Sequence, residues 1–156
     1  MPDVGVLSAH LLSGFQKELF TRLAEAGHEH LRPRHGAVMA YVDKDGTRAS
    51  ELSERSGQHK QVVGTLIDEL ERLGYVARRP DPADRRAKLV VPTELGLDQM
   101  AQARRIVSEI EARLAELVGR ERFYEFKAVF TEITRGYSAF VAPVVPDTAL
   151  SSSVSE

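Results

Sequence analysis

Two amphipathic segments with almost no chain between them constrain this sequence more than any other feature. "ASELSERSG" opens at Ala49 and stops at Gly57, and "HKQVVGTLIDELERLG" runs from His59 to Gly74. Gly57 falls in a turn of about three residues, and that spacing predicts a helix-turn-helix. Val62, Val63, Leu66, Leu70 and Leu73 form the expected apolar face of the second helix, and Gly74 suits the position just past its end.

After Gly74 the period changes. "YVARR" and "AKLVV" read as short extended stretches, and "PDPAD" between them is turn chemistry, because proline presets φ and aspartate bonds the backbone. A β-hairpin therefore follows the helix-turn-helix, and the two together make a winged helix. The expected fold class is mainly α with a small β-hairpin wing, the winged helix-turn-helix being joined to a helical dimerisation part.

Charge is placed unevenly. Arg78, Arg79, Arg85, Arg86 and Lys88 against Asp81 and Asp84 give the hairpin a local charge of +3, on a chain whose net charge is −2. Such charge at a chain reversal repels itself unless something negative arrives. A solvated loop is the plain alternative, but this loop follows a helix-turn-helix. In that arrangement the second helix can enter a major groove while the hairpin reaches the adjacent minor groove, where focused negative potential attracts arginine. Gln58, His59, Lys60, Gln61, Gly64 and Thr65 occupy the exposed first turns of the expected recognition helix. Glutamine can pair bidentately with adenine and lysine can reach guanine. Arg78, Arg79 and Lys88 are phosphate candidates or solubilising charge.

The flanks are helical. Leu7, Leu11, Phe15, Leu19 and Leu23 recur every four residues and predict a helix over roughly residues 4–26, ended by Gly27. "LRP" opens a second helix with Pro33 in its first turn, carrying Ala37, Val38, Tyr41 and Val42, before a turn at Asp43–Gly46. Thr93 is positioned to cap a long helix. Met100, Ala103, Val107, Ile110, Leu114 and Leu117 form a heptad seam on it, and Phe123, Phe126, Phe130, Ile133, Tyr137 and Phe140 form another. A helix over Thr93–Val118 would be roughly 39 Å long, more than a small domain needs for its own core. A seam shared with a second chain is expected; an intramolecular helical hairpin is the alternative. The expected division is 1–31 (first helix, dimerisation), 32–92 (winged helix-turn-helix), 93–140 (two long helices, dimerisation) and 141–156, a disordered tail rich in serine and proline.

Composition removes whole classes of function. With no cysteine there is no disulfide, thiolate catalysis or zinc–thiolate site. No apolar run reaches membrane length, and the N-terminus has no signal-peptide pattern, so a cytoplasmic protein without a membrane partner is expected. His28-Glu29-His30, read on a helix, points its histidines about 200° apart, so no metal is expected. No catalytic constellation stands out, and neither an enzyme nor a cofactor is expected.

The stretch Glu51–Gly96, "ELSERSGQHKQVVGTLIDELERLGYVARRPDPADRRAKLVVPTELG", resembles the MarR family of bacterial transcriptional regulators. It follows that family's helix-turn-helix, then "L-E-x-x-G-Y/L-V-x-R", then "D-P-x-D-R-R", then "T-x-x-G". The resemblance implies an obligate homodimer held by the first and last two helices, with Leu7, Leu11, Val107, Ile110, Leu114, Phe126, Phe130 and Ile133 as dimerisation candidates. It implies one winged helix per subunit on a pseudo-palindromic duplex DNA site. Arg86 would be the minor-groove residue, seconded by Arg85, and Asp84 its orienting partner. A phenolic or drug-like small molecule would bind between the dimer part and the DNA-binding part, against Phe15, Leu19, His35 and Met39. The expected function is a sequence-specific DNA-binding repressor released by such a ligand; a winged-helix protein-interaction module is the alternative. The sequence departs from the family pattern at His59, where serine or threonine is common, and at Pro92, which should keep the second wing strand short.

Overall fold

The computed structural model describes residues 1–141, with side chains described to Tyr137. Of the expected disordered tail, 141–156, Val141 instead ends a helix and the rest lies outside the described residues, as does the Phe140 side chain in the second seam. Helix α1 spans Val4–Glu25, and the Asp3 carboxylate accepts the Val6 amide at 2.9 Å to cap it. Gly27 (φ 99°) takes the chain out of the helix. The second expected helix shrinks to a 3-10 turn, Pro33–His35, and a short α2, Gly36–Met39. The ladder slips at the Tyr41 amide, which bonds the Val38 carbonyl three residues back at 3.0 Å, and the Asp43 amide turns to the Thr47 hydroxyl at 2.8 Å.

Strand β1 (Thr47–Arg48) was not foreseen. It leads into α3 (Ala49–Ser56), the left-handed Gly57 and α4 (Lys60–Arg72). Then come β2 (Val76–Asp81), β3 (Asp84–Pro92), α5 (Glu94–Val118) and α6 (Arg120–Val141). The sheet is antiparallel with order β1-β3-β2. Contrary to expectation, β3 is not short: it has 9 residues against 6 in β2. Pro92 sits opposite Val76 as its last residue, so proline closes the strand without truncating it.

The residues from Met1 to Glu111 form one compact unit. Its core joins Val38 and Met39 of α2, Leu52 of α3, Val63, Leu66, Ile67 and Leu70 of α4, and Tyr75, Val76 and Val90 of the wing's base. Each such side chain is worth about 1.5–3 kcal/mol when fully buried. The expected face of α4 is corrected here: Val62 is 43% exposed, and Ile67, absent from the expected face, is fully buried. Residues 63, 66, 67 and 70 share one helical face, and Val62 lies one step off it.

A junction of backbone and hydroxyl groups joins the end of α4 to the start of α5. The Thr93 hydroxyl donates to the Gly74 carbonyl at 2.5 Å and accepts the Gly96 amide at 3.2 Å, while the Thr93 amide donates to the Tyr75 carbonyl at 3.0 Å. A Cβ on Gly96 would run into that same Tyr75 carbonyl oxygen, well inside van der Waals contact. The spacing "T-x-x-G" is thus a cap plus a close approach. Beside it, buried His28 bonds the Tyr75 hydroxyl and Asp98, both at 3.0 Å.

The first heptad seam is only partly covered. Ile106 and Ile110 are buried on α5, whereas Met100, Ala103 and Val107 are half-buried. In the second unit, which begins at Ala112, Ala115 and Phe123 are buried, Leu114 is half-buried and Leu117 is 79% exposed. Phe126 and Phe130 stack on one another with centroids 5.4 Å apart. Among the described residues no helix is long and apolar enough to cross a membrane.

Candidate nucleic-acid interface

The buried face of α4 leaves its first turns in solvent. Gln58, His59, Lys60, Gln61 and Thr65 are exposed. His59 is the N-cap by backbone conformation but makes no side-chain cap bond, so its imidazole is not used to cap. The turn before it is held by Ser53, whose hydroxyl donates to the Gln58 carbonyl at 2.6 Å, and by Ser56, which accepts the Gln58 amide at 3.3 Å. Thr65 donates back to the Gln61 carbonyl at 3.1 Å. A Cβ built on Gly64 would meet open space, so packing does not require glycine there.

The far end of α4 is fixed by charge. Glu69 accepts from His35 at 2.9 Å and Arg34 at 3.0 Å. The other ring nitrogen of His35 accepts the Arg32 amide at 2.9 Å, so the proton sits on the nitrogen facing Glu69. The His35 bond, reinforced by Arg34, holds the Glu69 carboxyl below its ordinary range. Arg78, read above as a phosphate candidate, turns to Asp68 and Glu71, each at 2.5 Å, and ties β2 to α4.

At the wing the ladder slips. Pro80 pairs with Lys88, but Asp81 pairs with Asp84, so the shift falls across Arg85, Arg86 and Ala87. Such irregularities re-aim side chains. Arg79, Arg85, Arg86 and Lys88 are exposed. Asp84, expected as the orienting partner of Arg86, meets it through the backbone. Its carboxylate accepts the Arg86 backbone amide at 3.1 Å, which fixes the chain rather than the side chain. Sequence reading missed Asp81 as a buried group and Arg48 as its partner, bonded at 2.8 and 2.5 Å. The Asp81 carboxyl is held below its ordinary range by the Ala83 amide and by Arg48.

Of the ligand-pocket candidates, His35 and Met39 are buried and Phe15 and Leu19 half-buried. Both ring nitrogens of His35 are already engaged as described. The His28-Glu29-His30 run does not lie on a helix: it follows Gly27 in a turn, with His28 buried and His30 exposed. Among the described residues no group of three or more His, Asp or Glu is arranged to hold a metal.

A family model described as the MarR family matches residues 31–87, from just before the 3-10 turn into the wing. The CouR structure from Rhodococcus jostii RHA1, bound to p-coumaroyl-CoA, superposes with a TM-score of 0.69 at 26% identity, covering 84% of this chain and 91% of that one. Residues 31–87 are thus similar to the MarR family, and the fold is shared with CouR over most of both chains. The matched segment holds α3, α4 and most of the wing, so the helix-turn-helix itself carries the similarity. CouR bound to a 23-mer DNA duplex matches with a TM-score of 0.70 at 23% identity over 85% of this chain and 92% of that one. Transcriptional regulator HosA of Escherichia coli O111:H- is 29% identical over 92 residues, 58% of this chain and 68% of that protein. YcgE of Bacillus subtilis (strain 168), an uncharacterised HTH-type transcriptional regulator, is 48% identical over 44 residues, 28% of this chain; the match spans only 29% of YcgE's length. These relatives are regulators, not enzymes.

Proposed function

We propose that this protein is a MarR-family, sequence-specific DNA-binding transcriptional regulator, a cytoplasmic repressor acting as a homodimer on a pseudo-palindromic duplex site. The observation that carries the reading is the pairing of two exposed surfaces: the first turns of α4, with Lys60 and Gln61, and the slipped wing strand presenting Arg85 and Arg86. Gly64, with open space where a side chain would stand, lets the α4 backbone come close to a groove floor. Lys60 and Gln61 set base identity in the major groove, with Gln58, His59 and Thr65 beside them. Arg86, with Arg85, supplies charge and shape readout in the minor groove, and Arg79 and Lys88 meet phosphates.

A second copy covers Leu7 and Leu11 of α1, Val107 and Leu114 of α5, and Phe126, Phe130 and Ile133 of α6; Ile110, expected in this seam, is already buried within the chain. The helices at residues 1–31 and 93–140 serve dimerisation, and residues 32–92 bind DNA. Release follows binding of a phenolic or drug-like ligand against Phe15, Leu19, His35 and Met39. Support for a ligand of this kind comes from CouR, whose structure holds p-coumaroyl-CoA.

The test is selection of bound sequences from random duplex DNA, followed by binding of the selected and a scrambled duplex across a salt series. Arg86→Ala should weaken both duplexes by about 1–3 kcal/mol and lower the salt slope by about one. Gln61→Ala should weaken only the selected duplex, because it neutralises no phosphate. Wild-type affinity and slope for Arg86→Ala would move the protein-interaction reading ahead.

A further inference from the structure

Asp81 is anomalous for its position. It lies at the tip end of a charged, exposed hairpin, yet it is 6% exposed. One carboxylate oxygen accepts the Ala83 amide at 2.8 Å and closes the turn. The other takes both Nε and Nη2 of Arg48, at 2.8 and 2.5 Å. Arg48 is not a wing residue. It belongs to β1, opposite Leu89, and is also the residue from which α3 starts. The same guanidinium lies 4.0 Å from the Asp84 carboxylate, whose other oxygen holds the Arg86 amide. One arginine from the lead-in of the helix-turn-helix therefore reaches both carboxylates that shape the wing tip.

We propose that Arg48 is a positioning residue for the wing, fixing through Asp81 and Asp84 where Arg85 and Arg86 present their charge. It sets DNA affinity without itself contacting DNA. Its charge also offsets the two aspartates, so the field at the tip is that of the wing arginines. The inference rests on the DNA-binding reading above. A direct phosphate contact by Arg48 is the competing role, and Asp81 separates the two. Asp81→Asn removes a negative charge beside a polyanion while keeping an oxygen for the Ala83 amide. Electrostatics alone then predicts tighter binding; loss of the tie predicts weaker binding.

The experiment uses the full chain, a duplex selected from random DNA and a scrambled duplex, with amide hydrogen exchange on the free protein. Arg48→Ala and Asp81→Asn should each weaken both duplexes about tenfold, within the range for coupled neighbours, and the double variant should be no weaker than either. Arg48→Lys should restore most of the binding, since both guanidinium bonds go to one oxygen that an ammonium can also serve. The Ala83 and Arg86 amides should exchange faster in Arg48→Ala and Asp81→Asn, with the α4 amides unchanged, which excludes general unfolding. Binding by Asp81→Asn as tight as wild type, or unchanged exchange at the wing, would overturn the proposal. Were the wild-type protein to bind neither duplex at low salt, the DNA-binding reading would fall, and the exchange rates would decide the wing tie alone.

Discussion

Helices α4 and α6 both carry regular apolar stripes, and they meet opposite fates. On α4, Val63, Leu66, Ile67 and Leu70 are at most 5% exposed. On α6, Phe123 is 6% exposed, but Tyr124, Phe126, Val129, Ile133 and Tyr137 range from 46% to 65%. One stripe is satisfied inside the chain, in a core of short elements folded back on one another. The other stays largely exposed among the described residues, and the proposed second copy would cover it. Periodicity alone does not separate them; α4 is enclosed by the short elements that reverse at Gly57 and Gly74 and close over its stripe.

The comparison can be broken at either end. Leu70→Ala removes a fully buried side chain and should cost about 2–5 kcal/mol, seen as a lower denaturation midpoint with an unchanged slope. A cost near zero would mean that α4 is not the centre of the core. Ile133→Asp, at a side chain 54% exposed in the single chain, should weaken self-association roughly a hundredfold by placing an unpaired charge in the proposed dimer interface, measured by sedimentation. A wild-type mass equal to one chain would show that α6 is not covered by a second copy. Gly96→Ala sharpens the contrast inside the first unit. The clash with the Tyr75 carbonyl should cost about 1–3 kcal/mol, whereas Gly64→Ala, facing open space, should leave stability the same or higher. Equal midpoints for the two variants would remove the close-approach account.

The smallest effect expected is a pH effect at Glu69. Its carboxyl is held low by His35 and Arg34, so its contribution to stability is fully present above the ordinary glutamate range. That contribution fades as pH falls below about 4.3. Glu69→Gln should flatten the acid side of a denaturation-midpoint series. An unchanged acid slope would mean the triad does not tighten α4.

How far these features could be read from the sequence depended on distance along the chain. The helix-turn-helix was legible because Gly57 and Gly74 stop two local periodic segments. Thr93 and Gly96 were legible as a spacing, though not the carbonyl that makes the glycine necessary. The wing arginines could be read from charge alone. Strand β1 could not, because two residues carry no period. Ile67 was missed although it shares the stripe of Val63 and Leu70, and Val62 was taken in its place. The partner of Asp81 lies 33 residues upstream, and no local pattern links them. Reading His28-Glu29-His30 as helical failed because Gly27 had already ended α1.

The short strand β1 changes what a chimera of this protein could be. A foreign hairpin grafted as Val76–Pro92 would arrive without the strand that flanks β3 on its other side, since Thr47 and Arg48 pair with Val90 and Leu89. Thr47 is itself 1% exposed and bonded to the Asp43 amide. The hairpin is therefore not an exchangeable loop. The smallest cassette that could be swapped between relatives is discontinuous: Thr47–Arg48, the hairpin, and the Thr93–Gly96 junction, moved together.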